Sequence, residues 1–181
     1  ISLLRGNVDW DIVDNDFGSN GADSTAVIFG STNFGAPESR GFTIVGNDFE
    51  GWRRGVSVAA GNANLPVYEG VLEVHYNRFA NNTGVNASGL VNNLQTAQGS
   101  IDAENNWWGC NAGPNAAGCS TTSGSGTTDA GPHVVFSFDA SSSTILTGGD
   151  STLLHATFTQ NSAGAAIDED QLPDIPVGFA T

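Results

Sequence analysis

Four stretches, set under one another, decide the fold of this chain: Trp10-Asp11-Ile12-Val13-Asp14-Asn15-Asp16-Phe17, Phe42-Thr43-Ile44-Val45-Gly46-Asn47-Asp48-Phe49, Leu72-Glu73-Val74-His75-Tyr76-Asn77-Arg78-Phe79 and Ile101-Asp102-Ala103-Glu104-Asn105-Asn106-Trp107-Trp108. Their shared Asn residues lie 32, 30 and 29 positions apart. Apolar side chains stand five and three places before each Asn, and an aromatic ring stands two places after it. An apolar spacing of two is that of a strand with one face inward. Recurrence at roughly 30 residues points to stacked coils, because one coil cannot bury its own inward face while a stack shares one core. Phe17, Phe49, Phe79 and Trp108 are expected to form one aromatic column. The Asn residues are expected to sit at one turn, in the left-handed backbone that Asn tolerates, and to hydrogen-bond up the stack.

Each interval holds a second alternating run: Ala26-Val27-Ile28-Phe29, Gly55-Val56-Ser57-Val58 and Gly84-Val85-Asn86-Ala87. Two or three short strands per interval, joined by Gly and Asn turns, make one coil of a parallel β-solenoid. An antiparallel sandwich offers no reason for aligned Asn columns. Composition agrees, with 24 Gly among 181 residues signalling turn-rich β structure. Five Arg and Lys against 19 Asp and Glu leave a net charge of −14. That excludes nucleic acid and anionic lipid as partners held by phosphate neutralisation. All the cations are Arg, so Lys-based Schiff-base and isopeptide chemistry is excluded too. No apolar run approaches the ~18 residues of a membrane span, so no membrane insertion is expected. The chain opens at Ile1 and stops at Thr181 inside patterned segments, which reads as a piece of something longer.

The I-x-I-x-x-N-x-F and G-V-x-V pattern resembles the right-handed parallel β-helix repeats of pectate-lyase-like and surface proteins. The close, Asn105-Asn106-Trp107-Trp108-Gly109-Cys110 through Gly113-Pro114 to Gly118-Cys119, is similar to the N-W-W-G…G-P ending of extracellular β-helix proteins of bacteria and archaea. The resemblance implies about four coils and a scaffold, and it carries no activity with it. Cys110 and Cys119 bracket a Gly/Pro loop and read as a local disulfide covering the last coil. A redox pair favours C-x-x-C, and zinc needs two further ligands.

Three regions follow: a β-helix with its disulfide-closed loop over 1–119, a Ser/Thr/Gly-rich linker over 120–132, and a β module over 133–181. In the last, Val134-x-Phe136-x-Phe138, Leu154-x-Ala156-x-Phe158 and Pro173–Phe179 read as strands. The order from Ala156 to Gly164, then Leu172 to Thr181, resembles the early strands of bacterial Ig-like domains of the invasin/intimin type. Such a sandwich needs roughly 80–100 residues, so this module is partial. Its missing strands come from a longer chain, from another subunit, or from packing onto the solenoid. Val134, Phe136, Phe138, Val177 and Phe179 are therefore the candidate assembly residues.

Chemistry-bearing residues are sparse. Asp168, Asp170 and Asp174 are candidate calcium ligands, and the Asp9, Asp11, Asp14, Asp16 cluster is a second candidate; calcium is the one possible cofactor. Both lack the spacing of known calcium loops. Asp102, Glu104 and Arg78 are the nearest to a β-helix enzyme's groove, yet they read better as solubilising strand residues. Trp52 beside Arg53 and Arg54 suits either turn packing or stacking on a glycan. Asn81 and Asn86 begin N-x-S/T glycosylation patterns. The expected function is that of an extracellular or cell-surface structural protein and not an enzyme. It would be a fibre, filament or adhesin component forming homo-oligomers through its C-terminal module. A fragment of a carbohydrate-active enzyme, or a polysaccharide-binding module, is the alternative.

Overall fold

The computed structural model describes residues 1–4, 9–18, 21, 23–30, 39–59, 68–94, 99–142, 144, 148 and 151–178. Among the described residues the chain is all-β, with one 3₁₀ turn at Glu169–Gln171. A β-solenoid of about three turns carries the aligned repeats. Four repeats bound three full turns, which is why the count falls below the expected four coils.

Each turn visits three faces. The first holds β1 (Ser2–Leu4), β3 (Thr25–Gly30), β6 (Arg54–Val58), β9 (Ser88–Asn92) and β11 (Thr122–Ser123), all parallel and stacked in that order. The second stacks β2 (Trp10–Val13), β4 (Ser39–Val45), β7 (Tyr68–His75), β10 (Ser100–Asp102) and β12 (Thr127–Asp129). The third pairs β5 (Asp48–Glu50) with β8 (Arg78–Ala80), extended by bridges from Asp16 to Asp48 and from Arg78 to Trp107. Register follows the sequence alignment: Ile12 pairs with Ile44, Ile44 with Val74, and Phe49 with Phe79.

The aromatic column forms as the repeat predicts. Phe17–Phe49, Phe49–Phe79 and Phe79–Trp108 stack at centroid distances of 4.8, 5.2 and 4.8 Å, about the separation of neighbouring strands. Ile44, Val74, Ile101, Val56, Leu90 and Trp108 are wholly buried between the faces.

The Asn column is a continuous hydrogen-bonded ladder. Asn77 Nδ2 donates to Ile44 O and His75 O, both at 2.8 Å, and to Asn106 Oδ1 at 3.0 Å. Its Oδ1 accepts from the amide and the Nδ2 of Asn47, at 2.9 and 3.0 Å. Asn47 and Asn106 repeat this pattern. One expectation is corrected here. The left-handed backbone belongs to the residue before each Asn: Asp14, Gly46, Tyr76 and Asn105 have φ of 54°, 71°, 56° and 54°. That turn aims the following Asn side chain inward, where it satisfies carbonyls of two coils.

Three further expectations change. The third inner strand is β9, not Gly84–Ala87; Val85 is 78% exposed, and Gly84 and Asn86 have positive φ. The stretch read as a linker over 120–132 carries β11 and β12, which extend the first two faces by one rung. Its small polar residues have no core-filling side chains, yet their backbones pair with Leu90–Val91 and Ser100–Asp102. Beyond it, β13 (Val134–Ala140) and β14 (Leu154–Asn161) form one antiparallel pair. Residues 172–178 form no strand, in keeping with Pro173 and Pro176, which lack the N–H a ladder needs. Phe179 lies outside the described residues.

Candidate functional site

The residue after each ladder Asn points outward on the third face, forming the column Asp16, Asp48, Arg78, Trp107. Arg78 is buried and lines one cleft together with Ile175, Pro176 and Val177 of the C-terminal segment. Its Nη1 donates to both oxygens of Asp48, at 2.9 and 2.8 Å, and to Glu50 Oε2 at 2.7 Å. Asn81 Nδ2 donates to Glu50 Oε1 at 2.6 Å. Glu50 is held below the usual carboxylate range by the hydrogen bonds from Arg78 and Asn81. Asp48 is pushed upward by burial, with Glu50 and Asp16 adding to the rise and Arg78 opposing it. This charge cluster links neighbouring coils and leaves Arg78 committed to two carboxylates, so it is not free as a catalytic base or electrophile.

Trp107, one position along the column, anchors the C-terminal region. It packs edge-on against Phe158 at 5.1 Å, and Val134, Phe136, Ile167, Leu172 and Ile175 complete this second apolar cluster. The packing begins in the backbone: Asn105 N donates to Pro132 O and Val134 N to Asn106 O, so residues 132–134 follow the course of another coil before β13 leaves it. Asn161 Nδ2 then ties the hairpin back to Asn105 Oδ1 at 3.0 Å. Of the candidate assembly residues, Val134 is wholly buried in this contact and Phe136 half-buried. Phe138 and Val177 remain exposed. The solenoid, through Trp107, thus covers part of one face of this antiparallel pair. At the far half of the hairpin Phe138, Leu153 and Leu154 are 52%, 61% and 43% exposed.

The two acidic clusters, far apart in sequence, meet. Asp14, Asp16 and Asp48 of the solenoid and Asp170 and Asp174 of the C-terminal segment line one open cleft. Asp168 is turned to another task, capping the 3₁₀ turn by accepting from the Asp170 amide and from Gln171 Nε2. Among the described residues no group of three or more His, Cys, Asp or Glu side chains has the arrangement of a metal site.

The groove candidates do not converge. Asp102 pairs with His75 Nε2 at 3.0 Å on the second face, whereas Arg78 lies on the third. Trp52 is packed, not presented: its Nε1 donates to Phe17 O at 2.8 Å and it rests against the solenoid core. Asn81 and Asn86 are both exposed turn residues with positive φ. The Asn81 amide is already engaged by Glu50, and the Ser88 hydroxyl of the second pattern is buried on Leu90 O and Thr121 O. Cys110 and Cys119 are joined, with Cα atoms 5.3 Å apart.

The coil pattern alone does not reveal the cluster of Asp48, Glu50 and Arg78 or the anchoring role of Trp107. The signal was present in the column one place after each Asn, where Asp48 and Arg78 stand 30 positions apart and therefore side by side.

The fold defines a class, an all-β solenoid followed by an antiparallel strand pair. Comparison with protein-family models, with curated proteins and with solved structures returned no match. Among the described residues no helix is long and apolar enough to cross a membrane.

Proposed function

We propose that this chain is an extracellular structural or adhesive scaffold: a right-handed parallel β-helix followed by a partial Ig-like module, serving as a subunit or fragment of a surface fibre, filament or adhesin. It assembles by β-edge complementation and makes no bonds of its own. The observation carrying this reading is the half-covered hairpin. A two-stranded sheet is marginal in water, and the apolar face bearing Phe138 and Leu154 extends past the part packed on Trp107. Exposed apolar side chains on a short strand pair offer a template for another chain. The Cys110–Cys119 disulfide supports an oxidising, extracellular setting. The commitment of Arg78 to Asp48 and Glu50 argues against an acid–base site on that face.

The test is sedimentation and electron imaging of the full chain over a wide concentration range, beside Phe138→Ser and Leu154→Ser. Concentration-dependent association that both substitutions abolish supports the reading. A chain that stays monomeric at every concentration overturns it.

A further inference from the structure

The Cys110–Cys119 loop touches two bodies. Its second half belongs to the solenoid. Ser120 N donates to Trp108 O at 2.8 Å and Ser120 Oγ to Asn82 Oδ1 at 2.7 Å. Asn115 bonds Thr122 through both ends of its amide, at 2.9 and 3.1 Å. The first half reaches the hairpin instead. The pairing of β13 with β14 is interrupted between Val135 and Ser137, which leaves the Phe136 backbone in need of partners. Asn111 supplies them: its Oδ1 accepts from Phe136 N at 2.6 Å and its Nδ2 donates to Phe136 O at 2.8 Å. His133 Nε2, in the tautomer that donates, bonds Asn111 O at 3.0 Å. The same ring lies against Gly113, where a Cβ would stand 2.5 Å from it. Among the described residues, the backbone bond that closes the turn from Cys110 to Gly113 is a long one, 3.5 Å from Gly113 N to Cys110 O. The disulfide is therefore what ties the half on the hairpin to the half on the solenoid.

We propose that this loop is a redox-operated clamp on β13: closed, it holds Asn111 on Phe136; reduced, it lets the strand beyond Val134 come away from the solenoid. An exposed amide pair such as Asn111 with Phe136 holds only while both sides are already in place, and an open loop must first give up its conformational freedom. Release is local. Val134 N on Asn106 O and Asn161 Nδ2 on Asn105 Oδ1 keep the base of the hairpin attached, while Phe136, whose ring lies 5.3 Å from that of Phe158, is freed to leave the apolar cluster. A reductant has access, because Gly109, Asn111, Ala112, Ala117 and Gly118 are exposed and both cysteines are partly so. The reductant is a dithiol. One of its sulfurs attacks a cystine sulfur and breaks the S–S bond; its second thiol then displaces the mixed disulfide, so the dithiol ends as a disulfide and its two protons end on Cys110 and Cys119. The clamp governs how much of the hairpin a partner can reach, so its use rests on the assembly reading, whereas its existence does not.

The test is amide hydrogen exchange on the full chain at low concentration and well below its melting range, before and after reduction with dithiothreitol. It is read at Phe136 in the clamp and at Ile44 and Val74 in the solenoid. Reduction is expected to speed exchange at Phe136 by roughly tenfold or more, as local opening does, with Ile44 and Val74 unchanged, and reoxidation restores the slow rate. Asn111→Ala in the oxidised chain gives the same acceleration at Phe136 with the disulfide intact. The double variant Cys110→Ser, Cys119→Ser exchanges fast at Phe136 whether or not the reductant is present. Exchange at Phe136 that ignores reduction overturns the proposal, as does Asn111→Ala without effect. Acceleration that extends equally to Ile44 and Val74 also overturns it, because the disulfide is then a general cross-link and not a clamp. Self-association plays no part in these readings, so the clamp and the assembly reading fail separately.

Discussion

Replacing Asn77 by Ala tests the ladder at its centre. Asn77 is wholly buried. Losing its side chain strips the Asn47 amide and Nδ2 of their shared acceptor and leaves the carbonyls of Ile44 and His75 without the Nδ2 donor. A buried group left unsatisfied costs about 1–3 kcal/mol, and partial relaxation lowers the sum. The expected loss is about 3–5 kcal/mol, in the range kept for broken buried networks. For a chain of this size each kcal/mol moves Tm by roughly 2–4 °C, so the midpoint falls by about 10 °C. Asn15→Ala is the internal control. Asn15 is exposed, and among the described residues its side chain bonds Val13 O and Asn47 Oδ1, so its loss is about 1 kcal/mol. Urea and thermal melts followed by circular dichroism measure both. Equal, small losses at the two positions refute the ladder as a source of stability.

Asp48→Asn is expected to leave Tm at pH 7 unchanged or raised, because burial already favours the neutral form of this carboxyl. The sign follows from linkage: an acid with a raised folded-state pKa binds more protons folded than unfolded, so wild-type stability rises as pH falls through that window. The gap between variant and wild type therefore closes in acid; a gap that widens refutes the assignment. Glu50→Gln behaves oppositely, since Glu50 is held low by Arg78 and Asn81 and its contribution is lost as pH falls through its folded value. Gly89→Ala places a methyl 2.9 Å from Phe79 Cβ and 3.0 Å from its Cγ, and overpacking of that kind costs about 1–3 kcal/mol; an unchanged melt shows that the aromatic column yields freely. Opening the Cys110–Cys119 loop with Cys110→Ser and Cys119→Ser lowers stability by about 2–3 kcal/mol on the chain-entropy estimate, read as a Tm fall of about 4–12 °C.

The features legible in the sequence are those that repeat. A column of four Asn and a column of four aromatic rings are each sampled four times, and stacking demands the same residue type at the same place in every coil. The chain therefore declared its period, its inward faces and its aromatic stack without coordinates. A feature occurring once had no such redundancy. Gly84–Ala87 alternates as well as a strand does, yet the ladder bonds fall on Ser88–Asn92. The small polar residues around Thr122 and Thr128 carry no hydrophobic signal, and their strands are decided by the open edges of β9 and β10 beneath them.

The sequence alone determined the solenoid, because burial periodicity is local and every coil restates it. Only the tertiary structure decided which residue takes the left-handed turn, how Arg78 is shared between Asp48 and Glu50, and that Trp107 receives the C-terminal hairpin. It also brought Asp170 and Asp174 to face Asp14, Asp16 and Asp48 across more than 120 intervening residues. These are contacts between single, unrepeated segments, set by shape and charge once the stack exists, and no spacing along the chain encodes them.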